Sequence, residues 1–330
     1  MLITFGLLMI AAPSLAQDSE HYFLDPMGPI ARAQRSELIW AAAIISIAVL
    51  PVIVCTPWVY WRYRRSNPKS TYTPDWAFNT KLELVQWGVP LVIVIALSVW
   101  LAQAVYLLDP YRTIDDEMAE RLDTGLTGPP VMVDVIGLDW KWLYLYPELG
   151  VASVGDLVIP VGRPVQMRLT SDTVMQSFMA PGLAGQIYAM AGMRTRLSLL
   201  ADRPGTTVAE NTQYNGPGFA RQRASVRAVE DTTFAQWVDD ATKAEPLDVE
   251  TYARLAQSTD LDEVRSMFGR TPGGPVVFSL AEPQLFDRVM ARYLNGQPVP
   301  PEQQPGSPVY DPDAAILPEP LAMGMMGGME

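Results

Sequence analysis

One uncharged stretch decides how this chain is organised: LIWAAAIISIAVLPVIVCTPWVYW, residues 38–61. It is longer than the ~20 apolar residues needed to cross the hydrocarbon core of a bilayer. Its aromatic end, Trp58 to Trp61, is typical of a membrane–water interface. We expect Pro51 and Pro57 to bend the helix rather than end it, because a span in lipid must keep its backbone hydrogen-bonded. The sequence therefore predicts a first transmembrane helix over residues 38–61.

A second apolar run follows at residues 84–108, with Trp87 near its start and Tyr106 near its end. The connecting residues 62–83 are rich in Lys and Arg, whereas residues 109–129 begin with a cluster of acidic side chains. Positively charged loops stay on the cytoplasmic side, so we interpret 62–83 as a cytoplasmic loop and 109–129 as a linker on the opposite side.

The N-terminus indicates export. Residues 2–12 form an apolar run that is too short to span a bilayer, and Ser14-Leu15-Ala16 fits a signal-peptidase site. We interpret residues 1–16 as a cleaved signal and residues 17–37 as a periplasmic segment, with a third membrane anchor as the alternative.

Composition limits the chemistry of the chain. The formal net charge is −12, which argues against nucleic acid and anionic membrane surfaces as partners and suits a basic protein. Cys55 is the single cysteine and His21 the single histidine, so the chain alone provides neither an internal disulfide nor a site built from several Cys or His ligands.

Residues 130–230 have the pattern of a β-sandwich or small barrel, because short alternating runs are separated by Gly and Pro. The runs are 131–136, 141–146, 155–160, 165–170, 194–200 and 224–229. Residues 231–296 instead show apolar residues three or four apart, at 232–242, 249–257 and 284–294, which predicts a helical segment. Residues 297–330 are predicted to be a disordered tail. Its Met-rich end, 323–329, has thioethers that suit Cu(I), the alternative being a terminus without function.

Several motifs in the sequence resemble those of one known protein family. They are Glu83 followed by Trp87-Gly88-Val89-Pro90, DWKWLYLYP at 139–147, VMQSF at 174–178 and GQIYAMAGM at 185–193. They resemble the second subunits of haem–copper oxidases, and the ubiquinol-oxidase branch of cytochrome bo type more than the cytochrome c branch. The likeness covers roughly residues 30–295. It implies a mixed fold, with a two-helix transmembrane hairpin, an all-β cupredoxin-like Greek-key sandwich at 130–230 and a small C-terminal helical segment.

The resemblance also locates a lost metal site. The cytochrome c branch holds a binuclear copper centre with a histidine on one strand and a loop reading Cys-x-Glu-x-Cys-x-x-x-His-x-x-Met. On this chain the corresponding positions are Gln176 on the strand, then Asn211, Gln213, Asn215, Phe219 and Gln222 in the loop. Amides and a phenyl ring do not replace thiolates and imidazoles as copper ligands. We therefore expect no metal and no other cofactor in this chain.

The resemblance implies a non-redox subunit of a proton-pumping terminal oxidase in a bacterial inner membrane, with its C-terminal domain in the periplasm. Without copper in this domain, electrons would come from ubiquinol rather than from a soluble donor. Two haems and one copper are expected in the large subunit I, and subunits III and IV complete the complex. The alternatives are a cytochrome c oxidase subunit II with a degenerate copper centre, or a free-standing, membrane-tethered, cupredoxin-like binding protein.

Two further sets of residues have open interpretations. In the family a glutamate near the position of Glu83 lies at the mouth of a proton-uptake path, but a carboxylate there also simply flanks a helix. Trp140, Trp142, Tyr144 and Tyr146 are candidates for an electron-transfer or docking surface, or for packing within the sandwich or against subunit I.

Overall fold

The computed structural model describes residues 22–71 and 73–320. The chain divides into two units, one of residues 33–109 and one that contains the residues up to 32 and from 110 onward. We call them the helical unit and the β unit. The predicted signal at 1–16, His21 and the Met-rich residues 323–329 lie outside the described residues.

Two long helices dominate the N-terminal part of the described chain. Helix α1 is Pro29–Arg62 and helix α2 is Thr80–Leu107. Both begin before the predicted spans, because Pro29 suits a first helical position and the Asn79 side chain caps α2 by accepting from two backbone amides. Helix α1 continues through Pro51 and Pro57. Both helices are long and apolar enough to cross a membrane.

The β unit is a sandwich of two sheets that follows a short helix, α3 (Asp116–Arg121). Its strands are β1 Val131–Leu138, β2 Lys141–Tyr146, β3 Val151–Val154, β4 Asp156–Pro160, β5 Val165–Ser171, β6 Gln176–Met179, β7 Gln186–Ala189, β8 Thr195–Leu199, β9 Gly205–Asn211, β10 Arg223–Val229, β11 Pro246–Leu247 and β12 Val276–Leu280. One sheet has the order β11-β12-β3-β2-β1-β5-β8 and the other β4-β10-β9-β6-β7. The prediction of a β-sandwich is confirmed.

The aromatic residues of β2 fill the space between the sheets. Trp142, Tyr144 and Tyr146 are fully buried, and Trp142 meets the edge of Phe178 on β6 with ring centroids 5.2 Å apart. The Tyr146 hydroxyl donates to the carbonyl of Val158 on β4 and accepts from its amide, at 2.9 and 3.0 Å. These three aromatic residues are therefore core residues rather than a docking surface.

Four C-terminal helices follow the strand β10. Helix α4 (Asp231–Ala241) places Trp237 against Tyr146, with ring centroids 5.1 Å apart. Helices α5 Val249–Leu255, α6 Leu261–Met267 and α7 Leu285–Leu294 cover the other face of the larger sheet. Leu143 and Leu145, which alternate with the aromatic residues of β2, lie in one hydrophobic cluster with Tyr252 of α5 and Phe286 of α7. Burial on both faces explains why β2 has no exposed residue.

Two predictions for the C-terminal part differ from the structure. The segment 231–296, predicted to be helical, also contributes β11 and β12, and β12 pairs with β3 through Phe278 opposite Ala152. Residues 297–320 of the predicted disordered tail are packed against the β unit. Leu317 is buried in its hydrophobic cluster and the Tyr310 hydroxyl donates to the carbonyl of Ala253 at 2.9 Å. These anchors oppose the disorder that the Pro and Gly content predicts.

Candidate functional site

Four of the six predicted copper-ligand positions meet at one end of the sandwich. Gln176 opens β6, Asn211 ends β9, and Gln222 immediately precedes β10, while Asn215 lies in the loop that joins these two strands. Gln176, Asn211 and Gln222 are buried. Strands β6 and β9 are paired, with Phe178 opposite Asn211, so the register brings the four side chains together. We call Gln176, Asn211, Asn215 and Gln222 the amide cluster.

The amide cluster is joined by hydrogen bonds that centre on Gln222. Its Nε2 donates to Gln176 Oε1 at 2.6 Å. Its Oε1 accepts from Asn211 Nδ2 at 3.0 Å and from Asn215 Nδ2 at 2.7 Å. A buried amide left without partners would cost about 1–3 kcal/mol, so this mutual pairing stabilises the three buried amides of Gln176, Asn211 and Gln222.

Backbone contacts fix the cluster in place. Gln176 Nε2 donates to the carbonyl of Leu138 at 3.1 Å, and Asn211 Oδ1 accepts from the amide of Ser177 at 2.9 Å. Gly137 makes room for this arrangement, because a Cβ there would lie 2.7 Å from Gln176 Oε1. The absence of a side chain at Gly137 therefore leaves the space that Gln176 occupies.

The other two predicted positions lie outside the amide cluster. The backbone amide of Gln213 donates to Asn211 Oδ1 at 3.0 Å, but among the described residues its side chain makes no hydrogen bond with the cluster. The ring of Phe219 packs against exposed Tyr214, with centroids 5.7 Å apart. The structure thus brings together Gln176, Asn211, Asn215 and Gln222, and leaves Gln213 and Phe219 at the edge.

The cluster presents only neutral amide groups. Carboxamides do not ionise at ordinary pH, and they lack the soft sulfur and imidazole donors that hold copper in two oxidation states. Within residues 22–71 and 73–320, no group of three or more His, Cys, Asp or Glu side chains is placed to hold a metal ion. The chemistry of this arrangement is hydrogen bonding.

Trp140 supports the loop that carries Asn215. Its Nε1 donates to the carbonyl of Asn215 at 3.2 Å, and a Cβ on Gly218 would lie 2.1 Å from its ring. Gly216 adopts a φ of +115°, which favours glycine. The half-buried indole therefore requires a glycine-rich loop at this point.

Lys141 is a functional candidate that the sequence did not single out. It is 2% exposed, and its ammonium donates to the carbonyls of Asp139, Gln257 and Thr259 at 2.6, 2.8 and 2.8 Å. Burial lowers the pKa of this ammonium to about 7, against the opposing effect of Asp139 and other nearby carboxylates. The signal in the sequence was a lysine between two tryptophans at the start of a predicted strand.

A buried ion pair lies at the end of β5, and the sequence also gave no sign of it. Asp172 accepts from Arg292 Nη1 at 3.0 and 3.1 Å and from the hydroxyls of Tyr252 and Tyr293. Burial raises the pKa of Asp172, and Arg292 and the two phenols oppose that rise. Tyr252 is on α5 and Arg292 is on α7. Their bonds to Asp172 therefore connect these two helices to the end of β5.

Glu83 lies in the first turn of α2, where its backbone amide donates to the carbonyl of Asn79 at 3.0 Å. Its side chain is exposed within the chain. A carboxylate in a first turn interacts favourably with the helix dipole. The geometry is thus compatible with both interpretations of Glu83.

The chain is similar over most of its length to second subunits of quinol oxidases. The cytochrome bo(3) ubiquinol oxidase subunit 2 of Pseudomonas putida is 36% identical over 290 residues, which is 88% of this chain and 86% of the relative. The ubiquinol oxidase subunit 2 of Acetobacter aceti is 38% identical over 275 residues, 83% of each chain. The quinol oxidase subunit 2 of Bacillus subtilis is 36% identical over 247 residues, 73% of each chain.

No protein-family model matches the chain. Among solved structures, the periplasmic domain of subunit II of cytochrome oxidase from Bradyrhizobium japonicum is similar at a TM-score of 0.33 and 26% identity, covering 34% of this chain and 94% of that domain.

Proposed function

The chain belongs to the ubiquinol oxidase subunit 2 family, and from this we propose that it is the copper-free, non-redox subunit II of a proton-pumping quinol oxidase. The relatives are aligned over most of its length. The proposed role is to dock onto and stabilise the subunit that carries the redox centres, with a contribution to proton entry.

The amide cluster is the observation that carries this proposal. Gln176, Asn211, Asn215 and Gln222 stand at the predicted ligand positions and bond to one another at 2.6 to 3.0 Å. Mutual pairing occupies the groups that would otherwise face a metal. An interior of paired amides supports a domain that does not accept an electron from a soluble protein donor.

The electron donor is then a quinol within the bilayer. In the proposed reaction, two molecules of ubiquinol are oxidised to ubiquinone and one O2 is reduced to two molecules of water. The haems and copper that carry the electrons would reside in subunit I, and subunits III and IV would complete the assembly. The β unit would lie on the periplasmic side of a bacterial inner membrane. This location agrees with the basic composition of the loop 62–83, which is typical of a cytoplasmic loop.

Co-purification tests the proposed role. Gln86 and Gln103 are exposed along α2, and polar groups within a span usually face protein rather than lipid. We expect the tagged chain, extracted in a mild detergent, to elute with a much larger haem-containing membrane protein. Haem absorption of the eluate and the subunit bands on a gel provide the measurement. A haem-free monomer from the same extraction would contradict the proposal.

A substitution at Glu83 tests the proposed contribution to proton entry. If its carboxylate gathers protons at the cytoplasmic face, Glu83→Ala and Glu83→Gln should slow quinol-dependent oxygen uptake severalfold without loss of assembly, because neither side chain ionises. Turnover is measured with an oxygen electrode, and haem content per chain reports assembly.

Asp75→Ala is the matched control, since it removes an exposed carboxylate from the connecting loop between the same two helices. We expect it to leave turnover unchanged. If the two Glu83 variants turn over as fast as the Asp75 variant, Glu83 only flanks the helix.

A further inference from the structure

A cleft of about 550 Å³ opens beside the amide cluster. Its lining comes from separate parts of the β unit and includes Asp139, Trp140, Asn215, Ser258 and the segment 304–307. This volume is in the range of small-molecule sites. The quinol oxidase function assigns no role to this cleft.

Two oxygen atoms of the cleft residues lack hydrogen-bond donors. Asp139 is 7% exposed, and none of the described residues donates to its Oδ1, while its Oδ2 accepts from Ser258 Oγ at 3.0 Å. Asn215 Oδ1 is likewise without a donor in the described part of the chain. A buried carboxylate oxygen without a partner is costly, so this cleft has acceptors in excess of donors.

The charge of Asp139 is not neutralised by a direct ion pair. Lys141 donates to the main-chain oxygen of Asp139 at 2.6 Å and its ammonium interacts electrostatically with the carboxylate, but over residues 22–71 and 73–320 neither Lys141 nor another basic side chain forms a direct salt bridge with it. The chain as a whole has a net charge of −12. Both features favour a cationic ligand.

We propose that this cleft binds an organic cation of the guanidinium or primary ammonium class, with Asp139 as its counter-ion and Asn215 as a second acceptor. These cations are pure hydrogen-bond donors, which matches the acceptors left open. A Ca²⁺ ion takes about six to eight oxygen ligands and prefers several carboxylates, so one carboxylate and one amide suit it poorly.

The segment 304–307 lies against Asp139. Asp139 Oδ1 and Asn215 Oδ1 are buried although their residues line the cleft, so a ligand that bonds to them has to displace part of the cleft wall. Gly306, at a φ of +83°, lies so close that a Cβ there would be 3.1 Å from Asp139 Oδ2. The segment is a short turn outside the helices and strands of the sandwich.

The cation has two possible sources, which are a free small molecule and a lysine or arginine side chain of a partner protein. The purified full-length chain in detergent is titrated with agmatine, which carries both cationic groups, and with butylurea as a neutral analogue. We expect saturable binding of agmatine and none of butylurea by calorimetry. Asp139→Asn should weaken agmatine binding by at least about tenfold, because a charge-assisted hydrogen bond is lost.

Two further variants complete the design. Glu148→Gln makes the same change of charge at an exposed position outside the cleft and should bind agmatine normally. Val174→Arg places a guanidinium at a half-exposed position of the cleft wall and should abolish binding, whereas Val174→Gln should not. This pair keeps the test informative if Asp139→Asn fails to fold.

The assembled oxidase distinguishes the sources. Agmatine binding to both the isolated chain and the complex supports a free ligand, whereas binding to the isolated chain alone supports a basic side chain of a partner in the cleft. The inference is overturned if agmatine does not bind saturably to either, or if neither Asp139→Asn nor Val174→Arg changes its affinity.

Discussion

Replacing Asp172 with Ala should destabilise the β unit by about 3–5 kcal/mol, the usual cost of removing one partner of a buried ion pair. The side chains of Asp172 and Arg292 are 0% and 4% exposed. The change leaves the Arg292 guanidinium buried without a counter-ion, and it removes the acceptor of the Tyr252 hydroxyl and one of the two acceptors of the Tyr293 hydroxyl. Urea unfolding of the full-length chain in detergent, followed by near-UV circular dichroism, measures the loss.

Two controls separate the ion pair from its surroundings. Asp239→Ala removes the carboxylate from an exposed pair with Lys243 and should change stability far less. Asp172→Leu combined with Arg292→Met should cost less than Asp172→Ala alone, because no unpaired charge remains. If Asp172→Ala is as stable as Asp239→Ala, the ion pair of Asp172 and Arg292 does not hold the C-terminal helices in place.

Restoring the six predicted ligand positions should convert the amide cluster into a copper site. The variant carries Gln176→His, Asn211→Cys, Gln213→Glu, Asn215→Cys, Phe219→His and Gln222→Met. Gln176, Asn211, Asn215 and Gln222 already converge, so thiolates, an imidazole and a thioether placed there should bind about two copper ions per chain. Metal analysis and thiolate-to-copper absorption in the visible range are the readouts, with the native chain expected to bind none.

The same variant with Asn215 retained is the control, since it lacks one bridging thiolate and should lose most of the absorption. Phe219→His needs local repacking, because the phenyl ring packs against Tyr214 at 5.7 Å rather than into the cluster. A folded six-fold variant without copper would show that the loop is aligned wrongly.

The sequence predicted β1, β2, β4, β5, β8 and β10 and missed the other six strands, for reasons that differ from strand to strand. In β9 the buried positions are Thr207, Ala209 and Asn211, so the alternating pattern has little apolar signal. Strand β6 is only four residues long and opens with the buried Gln176. Strand β12 is apolar but pairs with β3, far away in the chain, and no local pattern reveals such a pairing.

The candidate site was likewise predictable only in part. Spacing and resemblance identified the residues of the amide cluster, because these depend on order along the chain. The hydrogen bond between Gln222 and Gln176, the buried ammonium of Lys141 and the partners of Asp172 depend on contacts between distant segments. Local periodicity does not encode them, and for that reason the C-terminal segment was predicted as separate helices and a disordered tail.

The most direct test of the proposed quinol oxidase function is the choice of electron donor by the purified complex that contains this chain. Oxygen uptake is measured with ubiquinol and, separately, with reduced cytochrome c. A domain whose interior is the neutral amide cluster predicts rapid uptake with ubiquinol and only background uptake with cytochrome c. Oxidation of cytochrome c at a comparable rate, or no uptake with ubiquinol, would contradict the proposed function.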